Sequence, residues 1–244
     1  MILCVYEGQR ENRWFKPLSR FFLKEEVIEY FIVEGTFHNL YKILMANDWD
    51  IIEALRDIEV RRGEKKILNY KESDFSEVYL FFDYDPHSST NLENLNSELS
   101  EMLSFFDNET THGKMYVNYP MIESLRYTKC LPDKNYYTYT ATLDSCGNFK
   151  NKTSLFSDYA NNDFIEARGR VKEKEAKDNW ILLKEQNISK ANYICHGENT
   201  IPMNKDAIAQ QIILRSQISK YVCSDSPCVS ILAAYPIFLY DYFK

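Results

Sequence analysis

The chain has 244 residues, 45% of them apolar and 27% charged, which is enough for a sizeable core and excludes a disordered or low-complexity protein. A formal charge of −7 excludes a protein that grips nucleic acid through a broadly basic surface, since such binding draws on phosphate neutralisation, but it permits a local basic groove. The six irregularly spaced cysteines do not suit a disulfide scaffold, and the apolar run from Met1 to Tyr6 is too short for a signal-peptide core, so a cytoplasmic chain with reduced thiols is expected.

In chain order, Ile2 to Tyr6 reads as a strand buried on both faces and is ended by Glu7-Gly8. Residues 11–22 have helical spacing in Trp14, Phe15, Leu18 and Phe22, with Pro17 as an irregularity. Val27 to Val33 predicts a second strand, and residues 39–59 a second helix that Asn47-Asp48 can interrupt. Arg61 to Lys66 reads as a solvated charged turn. Val78 to Phe82 is the clearest strand, closed by Asp83-Tyr84-Asp85-Pro86. A helix over 92–106 and a fourth strand, Lys114 to Tyr119, complete a βαβαβαβ order.

The seven Gly and seven Pro are scattered, so no linker marks a boundary, and pattern alone divides the chain into residues 1–125 and a mainly helical extension, 126–244. In the extension, residues 163–184 alternate acids and bases and predict a solvated structural helix, and 205–220 predict another. The apolar stretch from Val229 to Phe243 falls short of the roughly 20 residues that span a bilayer, so no membrane is implied and a buried terminal element is expected. Cys195-His196 and Cys223 with Cys228 supply four zinc-competent side chains, but without the short spacing of a structural zinc site.

Right-handed crossovers would make the strands parallel and bring their C-terminal ends, where open α/β sheets take ligands, to one edge. Glu7, Asp83 and Asp85 fall at that edge, and Glu123 lies just beyond it. Carboxylates crowded together repel unless a cation lies between them, and Mg²⁺ or Mn²⁺ needs only two or three such oxygen ligands when it also meets a phosphate. Arg13, Lys16, Arg20 and Lys24 recur at helical spacing and predict a basic stripe leading away from Glu7, suited to substrate phosphates or simply solvated. His87, just past the acids, is placed to transfer a proton or touch phosphate, but reads first as a surface loop histidine. No P-loop and no dinucleotide fingerprint occurs in the sequence.

The order of Val5-Tyr6-Glu7-Gly8 and Leu80-Phe81-Phe82-Asp83-Tyr84-Asp85 resembles the Toprim domain, the catalytic module of topoisomerases, bacterial primases and OLD-type nucleases. The resemblance covers about half the chain. It implies a Toprim-like α/β fold, a parallel sheet flanked by helices, and metal-dependent cleavage of DNA or RNA. Glu7, Asp83 and Asp85 would then be catalytic, with Glu11, four residues beyond Glu7, and Glu123 as further metal ligands. Small proteins of this kind resemble anti-phage effectors paired with a separate ATPase, so such a partner is expected, and a homo-oligomer is left open.

Two other readings compete. A haloacid-dehalogenase-type phosphatase also places Asp-x-Asp after a strand, though normally after the first strand of its core. A non-catalytic Toprim-like interaction or toxin subunit would keep the fold without the chemistry. Within the nuclease reading, Val33-Glu34-Gly35 competes with Tyr6-Glu7-Gly8, and strand counting together with Glu11 favours Glu7.

Overall fold

A computed structural model describes residues 1–87, 91–159 and 163–243 of the chain. Strand β1 (Ile2–Tyr6) is buried throughout and leads through Glu7-Gly8 into helix α1 (Gln9–Phe22). Helix α1 buries Trp14, Phe15, Leu18 and Phe21 at helical spacing, and Pro17 is held inside the helix without ending it. After β2 (Ile28–Ile32), the long helix expected over 39–59 is two helices, α2 (Phe37–Ala46) and α3 (Ile51–Arg62). Local chemistry sets the break: Asn47 closes α2, and the Asp50 carboxylate accepts the N–H groups of Ile52 and Glu53 to start α3. Then come β3 (Glu77–Asp83), α4 (Leu92–Phe105), the short β4 (Asp107–Asn108) and β5 (Gly113–Asn118).

These strands form one five-stranded sheet in the order β2-β1-β3-β5-β4, parallel except for β4. Strand β2 lies on one side of β1 and β3 on the other. The order therefore reverses between β1 and β3, and the crevice outside their C-terminal ends is the position where open α/β sheets bind ligands. The charged segment 61–66, expected to be only solvated, instead covers the outer edge of β2. Arg62 donates to the carbonyls of Ile32 and Val33, and Lys66 Nζ donates to that of Tyr30 at 2.7 Å. Capping an edge strand with cations blocks pairing with another chain.

The second half contains β6 (Thr140–Thr142), α5 (Leu143–Cys146), α6 (Phe149–Phe156), α7 (Asp163–Glu166), α8 (Glu173–His196), α9 (Gln210–Gln217), β7 (Cys228–Ser230) and α10 (Ala234–Tyr242). Strands β6 and β7 pair antiparallel. The expected single helix over 163–184 is thus α7 and α8, and α8 is not a solvated rod. It buries Trp180, Leu183, Asn187, Lys190, Ala191 and Ile194 along one face. The helix expected over 205–220 is also interrupted: a 3-10 turn at Lys205–Ile208 precedes α9, and a π turn at Ile218–Val222 follows it.

The apolar C-terminal stretch becomes β7 and α10 and is buried, and among the described residues no helix is long and apolar enough to cross a membrane. Helix α10 lies on the sheet. Tyr6, Phe81 and Tyr116 are register partners across β1, β3 and β5 and stack side by side, and Phe238 of α10 meets the last two rings edge-on. Phe15 of α1 closes the same cluster, so residues on both sides of position 125 share one core.

Candidate metal centre

Glu7 stands one residue past β1, where its backbone N–H still bonds to the Phe81 carbonyl of β3. Its side chain reaches along the crevice, and Oε2 accepts the backbone N–H of Asp83 at 3.1 Å. The first predicted acid is thereby fixed against the end of the third predicted strand, as the parallel register requires.

Asp83 closes β3 on the face carrying Tyr79 and Phe81, and pairs in register with Asn118 of β5. Asn118 is fully buried and satisfied at both ends: Nδ2 donates to Asp83 Oδ1 at 2.9 Å, and Oδ1 accepts the Ala234 N–H of α10 at 2.9 Å. Tyr84 points to the opposite face, where its hydroxyl donates to Asn96. Asp85 continues the β3–β5 pairing through its N–H to the Pro120 carbonyl at 2.9 Å, and has φ +28°, a conformation uncommon outside glycine. Such backbone strain persists only where surrounding structure imposes it.

Glu11 lies in the first turn of α1, buried, with Oε2 accepting the Gly8 N–H at 3.0 Å as half of a capping box. A Cβ on Gly8 would stand 3.1 Å from that oxygen, so a larger residue there would make the carboxylate give by a few tenths of an ångström. The Glu11 carbonyl accepts the buried Tyr235 hydroxyl of α10 at 2.6 Å. Glu123, in the 3-10 turn Ile122–Arg126, is 1% exposed. Its Oε1 pairs with the Arg10 guanidinium, whereas Oε2 is buried with no hydrogen-bond partner among the described residues.

These acids sense one another. Burial, then the charges of Glu11 and Asp85, push the Glu7 carboxyl up to about 8, against the pull of the Asp83 N–H. Asp83 is pushed well above the usual carboxylate range by burial and by Glu11, Glu7 and Glu123, with the Asn118 amide opposing. Burial also raises Glu11, with Glu123 adding to it and the Gly8 N–H and Arg10 opposing. Asp85 is raised by burial and eased by the His87 N–H. Among the described residues, no three His, Cys, Asp or Glu side chains are gathered tightly enough to hold a metal ion. In chemistry, however, the donors fit a hard divalent cation: every one is a carboxylate oxygen, their mutual repulsion is what such an ion relieves, and the buried Glu123 Oε2 has no partner among the described residues.

Other predicted residues lie elsewhere. Glu34 is exposed on the outer side of β1, linked to Glu7 only through its own N–H to the Glu7 carbonyl at 2.9 Å. Arg13, Lys16, Arg20 and Lys24 are exposed along and just past α1, but Arg20 donates to the Glu166 carbonyl at 3.2 Å and Lys16 lies 5.7 Å from the Tyr30 ring centroid. His87 is exposed, beside Gly147. His196 Nε2 meets the Ala207 carbonyl at 2.9 Å, and burial pushes the Cys195 thiol up to about 11. Arg10 and Asn118 escaped the sequence analysis. Asn118 had a visible signal, a polar residue in phase with Tyr116 within an apolar strand, whereas nothing local tied Arg10 to Glu123.

Comparison of the chain with family models, with curated proteins and with solved structures gives no match.

Proposed function

We propose that this chain is a divalent-metal-dependent nuclease of the Toprim type, cleaving phosphodiester bonds in DNA or RNA as a cytoplasmic effector of anti-phage defence. The observation that carries the proposal is the Glu7–Asp83 contact across the switch point of the sheet, with Asp85, Glu11 and Glu123 coupled to it. Glu7, Asp83 and Asp85 would hold Mg²⁺ or Mn²⁺, with Glu11 and Glu123 behind them. When bound, the ion supplies polarisation of the phosphate and acidification of a coordinated water.

The protein's own residues supply the rest. Glu7 would either hold the ion or, left free of it, accept a proton from an attacking water. Asn118, locked by Ala234, fixes which oxygen of Asp83 faces inward. Tyr235, buried with its hydroxyl on the Glu11 carbonyl, gives the C-terminal half a part in closing the inner side of the cluster. The exposed Arg13, Lys16 and Arg20 lead substrate phosphates toward Glu7. By the Toprim resemblance, a separate ATPase partner would trigger or restrain cleavage, and the chain itself carries no P-loop.

The test is incubation of the purified protein with labelled plasmid, single-stranded DNA, tRNA and total RNA in Mg²⁺, Mn²⁺ or EDTA. Cleavage in either metal, none in EDTA and none by Asp83→Asn is expected. Full activity in EDTA would overturn the proposal. The loose spacing of the acids favours one second reading, a binding subunit without catalysis, which predicts no cleavage of any substrate in any metal.

A further inference from the structure

Glu123 is almost wholly buried, whereas the cation paired with its Oε1 is partly exposed. Arg10 sits in the first turn of α1 with 40% of its side chain exposed, against 1% for Glu123. The other guanidinium facing Glu123, that of Arg126, is buried and donates to Ser154 Oγ at 3.0 Å, so it is anchored. Among the described residues Glu123 Oε2 has no hydrogen-bond partner, and the Glu123 charge acts on Glu11 and Asp83. A buried carboxylate needs a cation, and a guanidinium supplies a single positive charge where several acids converge. A divalent ion supplies twice that charge, and the displaced arginine regains water at little loss.

We propose that Arg10 is a placeholder cation: its guanidinium holds Glu123 in the metal-free protein and is exchanged for a divalent ion when the site loads. The inference rests on the metal-dependent reading above and goes beyond it by making ion affinity a competition at Glu123. Removing Arg10 therefore strengthens ion binding, the reverse of what deleting a ligand or a supporting residue does.

The test is Mn²⁺ titration of the full chain at neutral pH, with free Mn²⁺ read by electron paramagnetic resonance, and folding checked by circular dichroism. Arg10→Gln is expected to bind Mn²⁺ about tenfold more tightly than the wild type, the scale of one charged hydrogen bond. Arg13→Gln, which removes an equal charge from the same helix without touching Glu123, is expected to change affinity by less than about twofold. In a Glu123→Gln background, Arg10→Gln is expected to give no gain. Arg10→Lys keeps the charge with a weaker grip and is expected to fall between wild type and Arg10→Gln, which supplies the answer if Arg10→Gln does not fold.

If the wild type binds Mn²⁺ and neither Arg10 variant binds it more tightly, the exchange is wrong while the metal-dependent reading stands. A gain that persists without the Glu123 charge, or that Arg13→Gln reproduces, also overturns the exchange, because it reflects only the general field. Absence of saturable Mn²⁺ binding by the wild type overturns both.

Discussion

Replacing Glu7 by Gln isolates the electrostatic load carried by the acid cluster. In the unfolded chain this carboxyl loses its proton near 4.5, whereas in the folded protein it keeps it to about 8. Between those values the folded state binds more protons than the unfolded one, so stability is fully present below 4.5 and is lost as pH rises through 8. The slope is about 1.4 kcal/mol per pH unit, and the whole window corresponds to roughly 5 kcal/mol shared among the coupled acids. Gln keeps the shape and an oxygen for the Asp83 N–H but cannot ionise. Urea denaturation in EDTA at pH 5, 6, 7, 8 and 9 should find Glu7→Gln close to wild type at pH 5 and increasingly more stable up to pH 8, levelling beyond. A pH-independent difference, or a variant less stable than wild type at pH 8, would refute the reasoning.

Asp83→Asn and Asp85→Asn should each abolish metal-dependent cleavage while leaving the melting temperature in metal-free buffer unchanged or higher, because each removes a repelled charge. A large fall in melting temperature would mark either acid as structural. Phe238→Ala should destabilise the protein by about 3–5 kcal/mol in urea denaturation, since it opens a cavity among Phe15, Tyr79, Phe81 and Tyr116. A loss below about 1 kcal/mol would contradict the packing of α10 on the sheet. Combined Arg13→Gln, Lys16→Gln and Arg20→Gln should flatten the salt dependence of duplex binding by about 0.9 in log–log slope for each side chain that touches a phosphate. An unchanged slope would show the stripe to be merely solvated.

The first half of the fold was legible because its strands are short apolar runs buried on both faces, and Glu7 and Asp83 end the neighbouring β1 and β3 as the parallel order required. Helix α8 was misread because Glu173, Lys174, Glu175, Lys177 and Asp178 crowd its start. Its buried face also includes Asn187 and Lys190, which lower the apolar contrast. Lys190 belongs there because its ammonium donates to the carbonyls of Tyr136 and Tyr139, at 2.9 and 2.6 Å. That partnership forms only in the folded chain, and the same holds for Arg10 with Glu123 and for Asn118 with Ala234. Glu11 was legible as an acid near Glu7, but its capping bond to Gly8 gives it a structural task whether or not it meets an ion.

The central claim is that Glu7 and Asp83 flank a divalent cation at the switch point of the sheet. Its most direct test is an anomalous difference map from crystals soaked in MnCl₂, recorded just above the manganese absorption edge. A peak within ligand distance of the carboxylates of Glu7 and of Asp83 or Asp85, with Glu34 farther away, is the predicted result. A saturating soak that leaves this crevice without a peak, or that places the ion on Glu34 instead, would contradict it.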